Sequence, residues 1–294
     1  MKQKTIFALG FFDGVHLGHQ ALLTACRELA EKTGCAAGVV TFLGHPDGLI
    51  SGIDPRLINT SHDRRRLICR YGVDNFIELP FDRALMEMPW QDFFALLLQN
   101  GAAGLVCGSD FRFGHRGEGN AAKLARACAD AGIPCAVIAQ QMLGGIRISS
   151  THIRSLLEQG QMEQAVEFLG HPHILTGQVM SGRQLGRTLG IPTANLHLPE
   201  ECVVPAFGVY ACKCHIDGKA YFAVTNIGTR PTVAGQHVTV EPWILDFEGD
   251  LYGRELTLEF YSFLRPERKF PSLADLREEI LKNAQQTRKF FEKA

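Results

Sequence analysis

Apolar positions follow one rhythm up to about Gly170 and a different one beyond Pro172. In the first part, short apolar runs alternate with longer stretches at helical spacing. Ile6 to Leu9, Ala36 to Phe42, Phe76 to Leu79, Gly104 to Cys107 and Cys135 to Ile138 read as strands, with helices between them. The first of those helices is the clearest, because Leu17, Ala21, Leu22, Ala25 and Leu29 recur at its period from Leu17 to Glu31. Strand and helix in alternation predict a parallel, doubly wound α/β sheet. Beyond Pro172 the runs are β-rich and broken by glycine and proline: Ile174 to Met180, Gly208 to His215, Ala220 to Asn226, Val238 to Phe247 and Glu255 to Phe260. Asp217-Gly218 and Gly249-Asp250 mark turns between them, which predicts an antiparallel barrel or sandwich. A final amphipathic helix is expected over Leu273 to Phe291, docking on the barrel through Leu273, Leu276, Ile280 and Leu281. Two domains are therefore expected, 1–170 and 171–294, without internal repeats.

Composition narrows the function more by exclusion than by assertion. The 294 residues are 46% hydrophobic and 21% charged, enough for a sizeable core, and the formal net charge of −1 offers no global field for nucleic acid. Nine cysteines are scattered without Cys-x-x-Cys spacing, which argues against a disulfide framework or a zinc cage and fits a reduced, cytoplasmic setting. No apolar run approaches the length of a membrane span or of a signal-peptide core, so neither membrane nor nucleic acid is expected as a partner.

Candidate chemistry is concentrated in a few loops. Gly10-Phe11-Phe12-Asp13-Gly14-Val15-His16-Leu17-Gly18-His19 joins the first strand to the first helix. Orphan N–H groups and the helix dipole favour an anion there, and His16 and His19 are three apart on one face, where they can grip phosphate oxygens. Two capping or partly buried imidazoles would have the same spacing. Arg147-Ile148-Ser149-Ser150-Thr151-His152-Ile153-Arg154 gathers hydroxyls and guanidinium groups at a predicted helix start, which also suits a plain N-cap with solvated arginines. Both stretches, with His45-Pro46 and Ser109-Asp110-Phe111, fall at carboxyl ends of the predicted parallel strands, the side on which such sheets bind ligands. In the β-rich part, Gly182, Gly186 and Gly190 permit close backbone approach to phosphates, and Arg187 adds charge. Thr193 and Asn195 alternate in an extended segment, so both oxygens face one way and suit Mg²⁺; a glycine-rich turn without ligand reads the same.

Longer motifs add a resemblance. Gly-x-Phe-Asp-Gly-x-His-x-Gly-His resembles the signature of nucleotidyltransferases whose His-x-Gly-His binds ATP phosphates. The wider stretch resembles the adenylyltransferase half of the bacterial bifunctional riboflavin kinase/FAD synthetases. Ile148-Ser149-Ser150-Thr151-x-x-Arg154 and Asp110-Phe111-Arg112-Phe113-Gly114 are similar to further motifs of that family. Gly182-Arg183 through Pro192-Thr193-Ala194-Asn195, Asn226 to Thr232, and Glu241 with the segment after it resemble its riboflavin kinase half. The resemblance implies a Rossmann-like adenylyltransferase domain and a β-barrel kinase domain, using ATP and Mg²⁺ on riboflavin and FMN. It implies His16 and His19 as catalytic, with Gly10, Phe12, Asp13, Gly18, Asp110, Arg147, Ser149, Ser150, Thr151 and Arg154 around ATP. In the kinase half it implies Gly182, Gly186, Arg187, Gly190 and Pro192 at the phosphates, Thr193 and Asn195 at the metal, and Glu241 as general base. Arg265 to Phe270 resembles the family's stretch leading into the terminal helix. Gly44, His152 and Pro242 depart from the pattern. They leave open a homologue with one decayed site, or a regulator that binds flavin or nucleotide without turnover; weak homo-oligomerisation is also left open.

Overall fold

The computed structural model describes residues 3–45, 48–49, 52, 55–180, 190–232 and 235–293, without the side chains of 230–232 and 235–237. The chain divides into two compact units, one of Met1–Arg56 with Arg64–Ser150, the other of Leu57–Asp63 with Thr151–Ala294.

The first unit is built on a five-stranded sheet of β1 (Thr5–Leu9), β2 (Ala36–Leu43), β3 (Asn75–Pro80), β4 (Ala102–Gly108) and β7 (Cys135–Ile138), in the order β3-β2-β1-β4-β7 and parallel throughout. The remaining short strands pair as hairpins, β5 (Arg112–Phe113) with β6 (Gly119–Asn120) and β8 (Met142–Leu143) with β9 (Ile146–Arg147). Helices α1 (Leu17–Thr33), α3 (Arg83–Glu87), α4 (Trp90–Gln99) and α5 (Ala121–Asp130) belong to this unit, and α2 (Ser61–Cys69) enters it at Arg64. Phe7, Leu9, Val40, Leu105 and Cys107 from the sheet pack with Phe93, Leu97 and Leu124 from helices. Strand order reverses at β1, which has β2 on one side and β4 on the other. A crevice opens beyond the carboxyl ends of strands at such a point, and the motif from Gly10 to His19 follows directly from β1.

The second unit is an antiparallel sheet in the order β10-β15-β12-β13-β14-β11, formed by β10 (His173–Gln178), β11 (Leu196–His197), β12 (Gly208–Ile216), β13 (Lys219–Thr232), β14 (Gly235–Ile244) and β15 (Glu255–Pro266). A bridge between Val179 and Leu196, with Met180 N–H donating to Asn195 O at 2.8 Å, brings the two ends together as a nearly closed barrel. Asp217 (φ 49°) and Gly218 (φ 77°) form the left-handed two-residue turn joining β12 to β13. Helices α6 (Ser150–Glu158), α7 (Met162–Leu169) and α8 (Leu273–Lys293) complete the chain. Helix α8 docks farther along than its leucines suggest. Asn283, Ala284 and Thr287 are its buried residues, Phe291 stacks on Phe222 at 4.7 Å, and Leu273 is 55% exposed. Helical periodicity identifies a stripe but not which part of it meets a partner.

Leu57–Asp63, though early in sequence, is hydrogen-bonded into this unit. Leu57 exchanges backbone bonds of 2.7 Å with Glu201 and Val203, and Asn59 Nδ2 donates to Ile174 O at 3.0 Å. The buried Asp63 carboxylate accepts from Thr176 N–H at 3.1 Å and from the Thr176 hydroxyl, itself 3.1 Å from Thr257 Oγ1. Replacing Asp63 by Ala leaves that buried N–H without its acceptor and the hydroxyl without its carboxylate, so unfolding in urea should show a loss of about 1–3 kcal/mol. A midpoint matching the unaltered protein would contradict this.

Burial of His173 on β10, against the Phe260 ring at 5.7 Å, pushes its pKa down to about 3, with repulsion from His171 adding to the effect. An unfolded chain takes up this proton near pH 6.5, whereas the folded one refuses it until about pH 3. Stability from keeping His173 neutral is therefore complete above pH 6.5 and falls as the pH drops toward 3. Denaturation midpoints at pH 7 and pH 5 should differ less in His173→Gln than in the unaltered chain; equal slopes would refute the assignment.

Candidate functional site

Beyond Leu9 the backbone makes an unusual turn. Phe12 (φ 61°), Gly14 (φ 77°) and Val15 (φ 42°) all have positive φ, a costly conformation for phenylalanine and more so for β-branched valine. Neighbouring bonds hold it there. Gly10 N–H donates to Val40 O at 3.2 Å, Thr41 Oγ1 to Phe11 O at 3.1 Å and Ser150 Oγ to Asp13 O at 2.9 Å. Phe12 is fully buried and Asp13 is 2% exposed, so both support the turn from below.

The turn ends at His16, the N-cap of α1, whose Nδ1 accepts the His19 backbone N–H at 3.3 Å. A nitrogen that accepts carries no proton, so neutral His16 keeps its proton on Nε2 as a donor. The His16 and His19 rings stack 3.7 Å apart. Burial, then the charges of His16 and Arg64, hold the His19 pKa well below the usual histidine range. Only glycine fits comfortably between them, since a Cβ at Gly18 would lie 3.2 Å from the His16 ring.

Gly10, His16, Gly18 and His19 line a cavity of about 270 Å³ together with Asp110, Arg147, Ser149 and Ser150. Arg147 is ion-paired to Asp110, which also accepts from Gln140 Nε2 at 3.2 Å. Eight of the residues singled out from sequence therefore meet in one place. Thr151 and Arg154 lie on the part of α6 that belongs to the second unit, Thr151 exposed and Arg154 half-buried.

The departures from the motif also have local reasons. Gly44 follows β2 with φ 83°, a value proline cannot take. His45 packs edge-on against the Phe11 ring at 4.7 Å, and His152 against Phe168 at 4.7 Å. Pro46 lies outside the described residues.

In the second unit, β14 separates two cavities. Glu241 and Trp243 face a cavity of about 320 Å³, lined also by Val209, Asn226, Arg265 and Phe270 and closed by Leu276, Ile280 and Asn283 of α8. Pro242 and Ile244 face a smaller one of about 80 Å³, with Pro192, Phe247, Asp250 and Tyr252. Thr193 borders both. Glu241 pairs in register with Asn226 and accepts from Thr239 Oγ1 at 3.2 Å. Asn226 Nδ2 donates to Glu267 Oε1 at 3.4 Å. Glu267 presses so closely on Gly228 that a Cβ there would lie 2.0 Å from its carboxylate. Pro242, expected to bring an edge or a bulge, sits in an unbroken register opposite Thr225. Its carbonyl accepts from Ala194 N–H at 3.0 Å, so the nitrogen that lacks hydrogen points away from β13 and disrupts no bond of that ladder.

Asn195 Oδ1 is buried without a hydrogen-bond partner among the described residues, an oxygen open to a cation. Gly190 has φ 70°, whereas Gly182, Gly186 and Arg187 lie outside the described residues. Arg265, bonded to Asn283 at 3.1 Å, and Arg268, bonded to Glu279 at 2.7 Å, tie the loop before α8 to that helix.

Sequence reasoning passed over Arg64, which is 3% exposed. Within Arg64-Arg65-Arg66 it looks like part of a solvated face. The only hint is that Leu67 and Ile68, one turn beyond Asp63 and Arg64, are buried with them.

No helix among the described residues is long and apolar enough to cross a membrane. Residues 1–152 match the family model described as FAD synthetase, and residues 169–291 the one described as riboflavin kinase. A bifunctional riboflavin kinase/FMN adenylyltransferase of Listeria monocytogenes is 35% identical over 98% of this chain and 93% of its own length. The Escherichia coli K12 protein of the same description is 36% identical over 97% and 92%. A solved structure from Streptococcus pneumoniae, described as a macrolide-efflux protein, superposes with a TM-score of 0.89 at 29% identity, covering 98% of this chain and 95% of that one. With both family models matched in order and relatives alike over nearly the full length, the chain belongs to the bifunctional riboflavin kinase/FMN adenylyltransferases.

Proposed function

We propose that the two reactions of this family are divided between the two units, with adenylylation of FMN at the cavity beside His16 and His19 and phosphorylation of riboflavin at the cavity beside Glu241. The observation that carries this reading is the convergence of Gly10, His16, Gly18, His19, Asp110, Arg147, Ser149 and Ser150 on one cavity.

In adenylyl transfer, a phosphate oxygen of FMN attacks the α-phosphorus of ATP and pyrophosphate leaves. That nucleophile is already anionic at neutral pH, so the site must align two anions and offset their repulsion. The turn and the start of α1 supply N–H donors and the positive end of a helix dipole. His16 donates through Nε2, His19 stands beside it, and Ser149, Ser150 and Arg147 close the same cavity, with Thr151 and Arg154 assigned to the triphosphate by motif. Phe12 and Asp13 act by shaping the turn.

Riboflavin differs in that its 5′-hydroxyl must lose a proton as it attacks the γ-phosphate of ATP. Of the two carboxylates lining the cavity, Glu241 and Glu267, motif resemblance assigns Glu241 to take it. The apolar and aromatic walls formed by Val209, Trp243, Phe270, Leu276 and Ile280 suit a flat ring system. Thr193, bordering both cavities, stands where flavin and nucleotide would meet, and Pro192 lines the nucleotide side, while Gly182, Gly186, Arg187 and Gly190 are assigned to the phosphates by motif alone.

No cluster of three or more histidine, cysteine or acidic residues able to hold a metal occurs among the described residues. Mg²⁺ is commonly held by substrate phosphates and one or two protein oxygens, and the open Asn195 Oδ1 with the Thr193 hydroxyl fits that role. When bound, the ion would neutralise phosphate charge. We assign the protein to the cytoplasm, acting on small molecules with neither nucleic acid nor membrane as partner.

His19→Ala should lower FAD formation by about 10²–10³ while riboflavin phosphorylation continues; undiminished FAD synthesis would remove His19 from the site. Glu241→Gln should lower FMN formation by about 10²–10⁴ while added FMN is still converted to FAD. Near-normal phosphorylation by that variant would exclude Glu241 as the base.

A further inference from the structure

Arg64 is a buried cation that the reaction as outlined does not use. Its guanidinium lies 4.4 Å from the centre of the Phe11 ring, in cation–π contact, and its Nη2 donates to Phe42 O at 3.3 Å near the carboxyl end of β2. Its Nη1 has no hydrogen-bond partner among the described residues. Burying a guanidinium with a donor unmet is costly, and here the cost falls directly beside the strained turn. Phe11 is the residue before Phe12, and its carbonyl is already tied to Thr41. Arg64 thereby clamps the turn to β2 through the Phe11 ring, while the Gly10 N–H and the Thr41 hydroxyl clamp its backbone.

We propose that Arg64 is a positioning residue of the adenylyltransferase site: a fixed cation behind the turn that holds Phe11 to Val15 in place and so sets where His16 and His19 present their donors. This rests on the assignment of ATP phosphates to those histidines. Electrostatics supply a second link. Arg64 is among the charges that keep His19 neutral, after burial and His16, and Asp13 and Glu78 are the carboxylates whose field acts on Arg64. Lysine would keep the charge but lose the planar fork that stacks on Phe11 and reaches Phe42.

The test compares Arg64→Lys, Arg64→Gln and Arg64→Met with His19→Ala in the full chain. FAD formation from FMN and ATP is followed beside riboflavin phosphorylation in the same preparations, and histidine titrations are followed by NMR. Arg64→Met and Arg64→Gln should lower kcat for FAD formation by about 10- to 100-fold, of the order seen when a catalytic donor is misplaced. The KM for ATP should change much less, riboflavin phosphorylation should persist, and the His19 titration should move upward. Arg64→Lys should leave that titration low and recover part of kcat.

Folded Gln and Met variants with kcat within about twofold of the unaltered protein, or with an unmoved His19 titration, overturn the proposal. Parallel loss of both activities in all three variants overturns it too, since Arg64 would then be an ordinary support of the fold. If instead His19→Ala leaves FAD formation intact, the phosphate assignment beneath the proposal fails, an outcome separate from any effect of Arg64.

Discussion

A polyphosphate needs donors that are already fixed when it arrives, and on the proposed reading that requirement comes down, in the first unit, to one backbone turn. Phe12 and Val15 hold positive φ values that side-chain-bearing residues resist. The turn survives because the parallel sheet places β2 alongside β1, so that Val40, Thr41 and Phe42 offer bonds to Gly10, Phe11 and Arg64. Sheet order thus reaches the chemistry through specific hydrogen bonds. Reversal of strand order at β1 opens the crevice, and the strained turn aims α1 into it.

The second unit solves a different problem with the period of a strand. Successive residues of β14 face opposite ways, so Glu241 and Trp243 look onto the larger cavity while Pro242 and Ile244 look onto the smaller. A proline inside a sheet ordinarily threatens such alternation. Here its nitrogen faces the short neighbouring segment at Ala194, and the ladder with β13 runs past it without a slip. Register is what keeps the carboxylate of Glu241 opposite Asn226, because a slip of one residue would exchange the two faces.

Much of this was legible in the chain. All five runs read as strands in the first part are strands, and Cys135–Ile138 matches residue for residue. The β-rich runs contain strands as well, but their ends differ: β10 stops at Gln178 and β14 at Ile244, where Asp246 (φ 58°) turns the chain before Phe247, whereas β13 continues through Thr232 and β15 through Pro266. Backbone pairing, unlike composition, does not stop at a polar residue. The turn at Asp217-Gly218 was readable because its conformation demands those residue types. What remained hidden was long-range. Asp63 belongs with β10 and Arg64 with the turn after β1, yet both sit in a polar run that a solvated helix would share. Likewise the leucines of α8 reveal a stripe, while its docking through Asn283, Ala284 and Thr287 depends on which aromatic rings the barrel offers.

On the proposed division of the two reactions, the contrast between the two cavities matches the nucleophiles they would serve. An anionic phosphate nucleophile needs no base, and the cavity beside α1 is accordingly rich in donors, with its one lining carboxylate, Asp110, already paired to Arg147. A hydroxyl nucleophile needs a proton acceptor, and on that reading the cavity beside α8 supplies Glu241, which accepts from the Thr239 hydroxyl. Arg265 bonds to Asn283 and Glu279 of α8, and Arg268 to Glu279. These bonds fasten the wall that α8 gives the cavity to the end of β15 and the loop after it.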